Sequence, residues 1–165
     1  MGYLVFLPHD CEERAMNLDE VTTRMQLQLD NLGFHAEIAT FNQLVQWLEI
    51  KINRQIHMLP IRMPPAIHGA WISDGERPNE YVLYNAAMPA LLQTRIQLHE
   101  LSHLICQHPT LQVTSKTLKS MLQATQNGSI PSSFVQPNFV CTSLMSNPNR
   151  EIEAELMTRL IQSRL

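Results

Sequence analysis

The chain has 165 residues, 44% hydrophobic and 16% charged, with only 5 Gly, which excludes a disordered or collagen-like polymer and suits one domain of ordinary size. With 12 basic and 15 acidic residues the formal net charge is -3; no basic excess exists to neutralise a run of phosphates, so direct nucleic-acid binding is not expected. No apolar run approaches the roughly 18–20 residues that cross a bilayer, Tyr3–Pro8 is too short for a secretory leader, and Cys11, Cys106 and Cys141 show no paired spacing, which points to free thiols in the cytoplasm.

Tyr3–Leu7 reads as a short strand broken by Pro8, His9 and Asp10. Leu18, Val21, Met25, Leu29 and Leu32 then recur near helical spacing, with Asn17 as N-cap, Glu20 three residues on, and Gly33 as the stop. Phe34–Ala39 is expected to be a strand. Residues 1–40 thus read as a strand-helix-strand extension without a chemical motif. A helix is expected from about Asn42 to Asn53, its inward stripe being Leu44, Val45, Leu48 and Ile52. Ile56–Arg62 looks extended, and Met63-Pro64-Pro65 is a stiff break. Ala70–Ser73 and Tyr81–Asn85 read as a hairpin across the turn-rich Asp74–Asn79. Pro89 opens a helix expected to run to about His108, where Pro109 stops it. Lys116–Thr125 is a weaker helix. Gln126–Asn149, broken by Gly128, Pro131, Pro137 and Pro148, reads as a loop or lid. Asn147 or Asn149 caps a last helix that runs to the C-terminus.

His99-Glu100-Leu101-Ser102-His103 is an H-E-x-x-H pattern on the Pro89 helix. Residues four apart lie roughly 40° apart around a helix and one turn along it, so both imidazoles reach one cation. Glu100 sits about 100° round from His99, beside such a cation, where it can accept a proton from a water. Zinc lowers the pKa of that water toward about 7 and polarises a carbonyl, which is what amide hydrolysis needs at neutral pH. Chance alone would place the string somewhere in a chain of this composition about 2% of the time, so context must weigh in. Leu92 and Ile96 share the histidine face while Leu98, Leu101 and Ile105 line another. A helix apolar on more than one side is buried, and two buried histidines on one stripe want a shared partner. The bland reading is a histidine pair with no metal.

A catalytic zinc takes three protein ligands and keeps one position open. His108 is on a different side of the helix and does not easily close the site; Cys106 reads as a small buried hydrophobe. The last helix offers Glu151, Glu153 and Glu155. Three carboxylates there are also what a solvated, dipole-favoured first turn would carry. Glu151 and Glu155 share one face, so one can bind the ion while the other orients a histidine N–H. Helical geometry leaves Glu153 open as an alternative ligand.

The stretches Ile96–Cys106 and Glu151–Leu156 resemble the ImmA/IrrE family of metallopeptidases, also described as the IrrE N-terminal-like domain. That family reads H-E-L-(G/A)-H-L-L, followed after a loop by E-x-E-A-(N/D/E) on a helix, with a strand pair before the zinc helix where Trp71–Asn85 falls. The resemblance spans about Asn42 to Leu165, leaving 1–40 as an N-terminal extension and 41–165 as the metallopeptidase domain. It implies an α+β, compact zincin-like fold: an H-E-x-x-H helix packed on a small β-sheet, with a C-terminal ligand helix. It implies His99, His103 and Glu151 as ligands of one catalytic Zn2+, Glu100 as the catalytic base, and Glu155 as the supporter of a ligand. Ser102 departs from the usual Gly or Ala, the usual Leu-Leu-Met-Pro run is missing, and with the chain ending at Leu165 no C-terminal domain is expected.

The resemblance also implies the substrate class, since family members are intracellular proteases that cut helix-turn-helix repressors and relieve repression. For the oxyanion, Tyr81, Tyr84, His108 and the 126–149 loop are candidates, and the Tyr81–Asn85 strand is the candidate to pair with an extended substrate. Tyr81 and Tyr84 equally suit packing on a strand. Two rival functions stand beside the endopeptidase: a regulatory module that keeps a structural zinc and binds a repressor-like partner without cutting it, and a metal hydrolase of a small amide. A pure binder has no need of a base beside the metal, which favours the enzyme.

Overall fold

Asn17 starts the first helix, α1 (Leu18–Leu32), by accepting at Oδ1 from the backbone N–H of Asp19 at 3.1 Å and of Glu20 at 3.5 Å. Gly33 ends it in the left-handed region at φ 74°, where a side chain would be strained. The structure, a computed structural model, describes residues 17–34, 37–63, 67–126 and 147–165. The expected Tyr3–Leu7 strand and the body of the expected 126–149 loop lie outside those residues. The expected strand at Phe34–Ala39 does not form among its described residues. Phe34 and Ile38 are instead buried anchors of the connection to the next helix, 3% and 9% exposed. That helix, α2 (Phe41–Ile52), is capped by Thr40 and ends at Asn53 in the left-handed region.

β1 (Gln55–Ile61), β2 (Gly69–Asp74) and β3 (Asn79–Asn85) follow. Then come α3 (Ala90–Ile105), a short β4 (Leu111–Val113), α4 (Ser115–Gln126) and α5 (Pro148–Gln162). Among the described residues the fold is therefore mixed α+β, with five helices and one four-stranded mixed sheet in the order β1-β3-β2-β4. β2 and β3 form the expected hairpin, antiparallel from Gly69↔Tyr84 to Ser73↔Glu80. β1 lies parallel to β3 on its other side, and β4 pairs in parallel with only Ile72–Asp74 of β2. No helix here is long and apolar enough to cross a membrane.

Both faces of the sheet are covered, and all six residues of β2 are buried. On one face Ile56, Trp71 and Val82 join a core with Val21, Met25 and Leu29 of α1, Leu44 and Leu48 of α2, Leu98 and Leu101 of α3, and Met157 and Ile161 of α5. On the other, Ile61, Ala70, Ile72, Leu83 and Val113 pack against Leu118 and Met121 of α4. Each fully buried Leu, Ile or Met contributes roughly 1.5–3 kcal/mol. Helix α1, read from the sequence as part of an extension, shares the first of these cores and packs on α5.

α3 and α5 meet through small side chains. Ala154, Ser102 and Thr158 are each 0% exposed. The Ser102 and Thr158 hydroxyls lie 2.9 Å apart, and each also reaches a carbonyl of its own helix, Leu98 and Ala154, at 2.8 Å. Two hydroxyl protons can fill two of these three contacts at a time. The close approach brings the first turn of α5 over the histidines of α3.

Candidate metal centre

α3 has no side-chain cap at Pro89 and leaves its N-terminal apolar residues open, with Leu91 83% and Leu92 45% exposed. Its second half is the opposite: from Leu98 to Ile105 every residue but His99 is buried. The expected run to about His108 is shorter in fact. The helix stops at Ile105, and Gln107 takes a left-handed φ of 57°, turning the chain back so that the His108 N–H donates to the His103 carbonyl at 3.0 Å. Glutamine has no special preference for that conformation, so nothing in the sequence marks the turn.

His99, His103 and Glu151 converge. His99 Nε2 and His103 Nε2 are 3.1 Å apart, His99 Nε2 lies 3.1 Å from Glu151 Oε2, and His103 Nε2 lies 3.4 Å from Glu151 Oε1. A tetrahedral zinc with bonds of about 2.0–2.1 Å separates its ligand atoms by about 3.3–3.4 Å. The His99–His103 edge is close to that spacing, and the two oxygens of Glu151 divide the other contacts, Oε2 facing His99 and Oε1 facing His103. Two imidazole nitrogens facing each other at 3.1 Å, with a carboxylate beside them, hold together only around a proton or a cation. The donor set therefore fits a divalent metal, and the three form a group whose ligand atoms all lie within 4.8 Å of one another.

Glu100 stands next to this group with 3% exposure, and its Oε2 is buried without a hydrogen-bond partner. Burial pushes its carboxyl up to about 8; the Glu151 charge adds to the rise, while His99 and the backbone N–H of Trp71 oppose it. At His99 burial pulls the pKa down, but the hydrogen bond it donates to Glu151 and the charges of Glu100, Glu151 and Glu155 outweigh it and the net shift is upward. Both shifts record carboxylates in search of positive charge. A divalent cation in the group would favour ionised Glu100 and neutral imidazoles. Gly69 of β2 makes room for Glu100: a Cβ there would stand 2.9 Å from Glu100 Oε1 and 2.5 Å from Ile96 Cγ2. Nothing in the sequence singled out Gly69, because its constraint comes from a helix packed across the strand.

The other expected residues separate. Glu155 Oε2 lies 3.9 Å from His99 Nδ1, and its Oε1 is held by Arg95 at 2.6 Å and Arg159 at 3.0 Å. It lies on the His99 side of the helix, beyond hydrogen-bond distance of the ring. Glu153 faces the other way, where it bonds His108 and pairs with Arg24, so it is not brought to the cluster as a ligand. His108, a candidate oxyanion donor, is 8% exposed and bonded through both ring nitrogens, to His103 and Glu153. Neither nitrogen is free for a substrate. Tyr81 lies on the α4 face of the sheet, stacked on His57 at 5.0 Å, and is separated from the site by the sheet itself. Tyr84, opposite Gly69, is on the face that α3 covers. The Tyr81–Asn85 strand cannot take an extended peptide, because β3 is interior and paired on both sides. β4 does not reach the Gly69–Trp71 half of β2, where Trp71 gives its backbone N–H to Glu100 and its carbonyl accepts from the Thr110 hydroxyl at 2.6 Å.

A cleft of about 320 Å³ opens along the exposed half of α3, with Met88, Leu92 and Ile96 on its apolar side and His99 and Glu100 at its end. Comparisons with family models, with curated proteins and with solved structures find no match to this chain.

Proposed function

We propose that the chain is a cytoplasmic, zincin-like zinc endopeptidase of the ImmA/IrrE type, cutting a helix-turn-helix repressor to relieve repression. The observation that carries the reading is the pairing of a three-donor cluster, its ligand atoms within 4.8 Å of one another, with a buried carboxylate, Glu100, whose Oε2 has no partner. His99, His103 and Glu151 would hold one Zn2+. When bound, it supplies Lewis acidity, easing deprotonation of water and polarising the scissile carbonyl.

The chain's own residues do the rest. Glu100 takes a proton from the attacking water as oxygen bonds to the carbonyl carbon. It then delivers that proton to the departing nitrogen as the C–N bond breaks, ending in the state in which it began. The floor under Glu100, made by Gly69 and Trp71, keeps bulk water from its carboxylate. The cleft along Met88, Leu92 and Ile96 suits an apolar substrate side chain next to the scissile bond.

Zinc-loaded chain incubated with a candidate helix-turn-helix regulator should yield two fragments by mass spectrometry. A chelator should stop the reaction and added zinc restore it. Glu100→Gln should keep zinc content and slow cleavage by about 10³-fold. Full activity in that variant would reject Glu100 as base. Tight binding of the regulator without cleavage would replace the enzyme by the regulatory module.

A further inference from the structure

Behind His103, on the side away from the cluster, a line of side chains runs outward to the surface. His103 Nδ1 meets His108 Nδ1 at 2.8 Å, His108 Nε2 meets Glu153 Oε2 at 2.9 Å, and Glu153 Oε1 is paired with Arg24 of α1. His103 and His108 are 7% and 8% exposed. The three elements involved are unrelated in sequence: the turn after α3, the first turns of α5, and α1 from the segment that precedes the family-like region.

We infer that His108 and Glu153 are positioning residues that fix the tautomer of His103, with Arg24 anchoring the far end; the inference rests on the proposed zinc site. The direction of every hydrogen follows from the last acceptor. Glu153, paired with a guanidinium, is a carboxylate and only accepts. His108 Nε2 therefore carries a proton and donates it. A neutral His108 then has a bare Nδ1, which must accept from His103 Nδ1–H. A neutral His103 with its proton on Nδ1 has a bare Nε2, and that is the atom at 3.1 Å and 3.4 Å from the other two donors of the cluster. One carboxylate thus sets the lone pair of a ligand two imidazoles away. A ligating histidine usually rests its far N–H directly on a carboxylate or a carbonyl; here a second histidine is inserted, and the left-handed Gln107 is what delivers it. Glu155 stands behind His99 in the corresponding position, but at 3.9 Å. The geometry assigns the tighter support to His103.

The test uses full-length protein and zinc itself, titrated against a competing chelator. His108→Ala should weaken zinc binding by about 10–100-fold. His108→Asn should recover most of the loss, because its Oδ1 occupies the place of the imidazole Nδ1 and still accepts from His103. Glu153→Gln should fall between them. Affinity within twofold of wild type in folded His108→Ala, or no recovery in His108→Asn, would overturn the inference. A second readout needs no metal. The ¹⁵N shifts of His103 in chelator-treated protein should report Nδ1–H in wild type and a move toward Nε2–H in His108→Ala. Unchanged shifts would overturn the inference. A wild type that binds no zinc but shows the tautomer change would reject the proposed zinc site and leave the positioning role standing.

Discussion

Glu80 and Glu100 are the same side chain at the same depth, each 3% exposed, on the same side of the sheet. Glu80 is surrounded: Arg54 pairs with it at 2.5 Å, the Trp71 indole N–H donates at 2.7 Å and the Ser73 hydroxyl at 3.0 Å. Arg54 in turn donates to the carbonyls of Asp74, Arg77 and Asn79, closing the β2–β3 turn. Glu100 has one oxygen with no partner and a charge pushed toward neutrality by burial. Trp71 serves both, its indole toward Glu80 and its backbone toward Glu100. A buried carboxylate that is fully satisfied holds two strands together. One left unsatisfied beside His99, His103 and Glu151 makes no such tie, and the fold tolerates its cost.

The largest stability effect should separate the two glutamates by the same substitution. Glu80→Gln leaves the half-buried Arg54 without its counter-charge and should cost roughly 2–4 kcal/mol. Glu100→Gln should instead raise the stability of metal-free protein at pH 7, by on the order of 3 kcal/mol, since unfolding lets the wild-type carboxyl ionise and offers the glutamine no such gain. Urea unfolding of both variants checks this, and equal losses would break the comparison. Next in size, Gly69→Ala should cost about 1–3 kcal/mol by driving a methyl group into Ile96 and Glu100. It should also lower cleavage more than zinc affinity, because the displaced group is the proposed base rather than a ligand. The same shift sets a pH dependence. Glu100 has a folded pKa raised above its unfolded value, so its contribution is fully present below about pH 4.5 and is lost as pH rises through about 8. Metal-free wild type should therefore melt progressively below metal-free Glu100→Gln between pH 5 and pH 9. Parallel melting curves across that range would remove Glu100 as the titrating group.

How much of this was legible in the sequence depends on range. The helical spacing of His99 and His103, the carboxylates of α5, the Asn17 and Gly33 ends of α1 and the β2–β3 hairpin are local signals, and the structure has them where the sequence puts them. What was missed depends on partners distant in the chain. β3 reads as an exposed strand until β1 pairs with it, and β4 is three residues long, defined only by its pairing with β2. A strand covered on both faces carries no alternation, so nothing local assigns Tyr81 to the α4 side. His108 was placed on the wrong side of a helix that ends before it, because one left-handed glutamine is invisible to pattern reading.

The last turn of α3 ends on a carbonyl that its own helix cannot use, and α1 supplies the missing donor: Gln28 Nε2 reaches Ile105 O at 2.7 Å. Cys106 Sγ lies against Met25 Sδ just beyond, at 3.6 Å. A shortened polypeptide beginning near residue 41 would strip this end and uncover the apolar surface left by Val21, Met25 and Leu29. Anyone trimming the protein for expression should keep Asn17 and everything after it, and should read insolubility of a shorter version as the loss of a wall rather than as a fault of the sheet and α3.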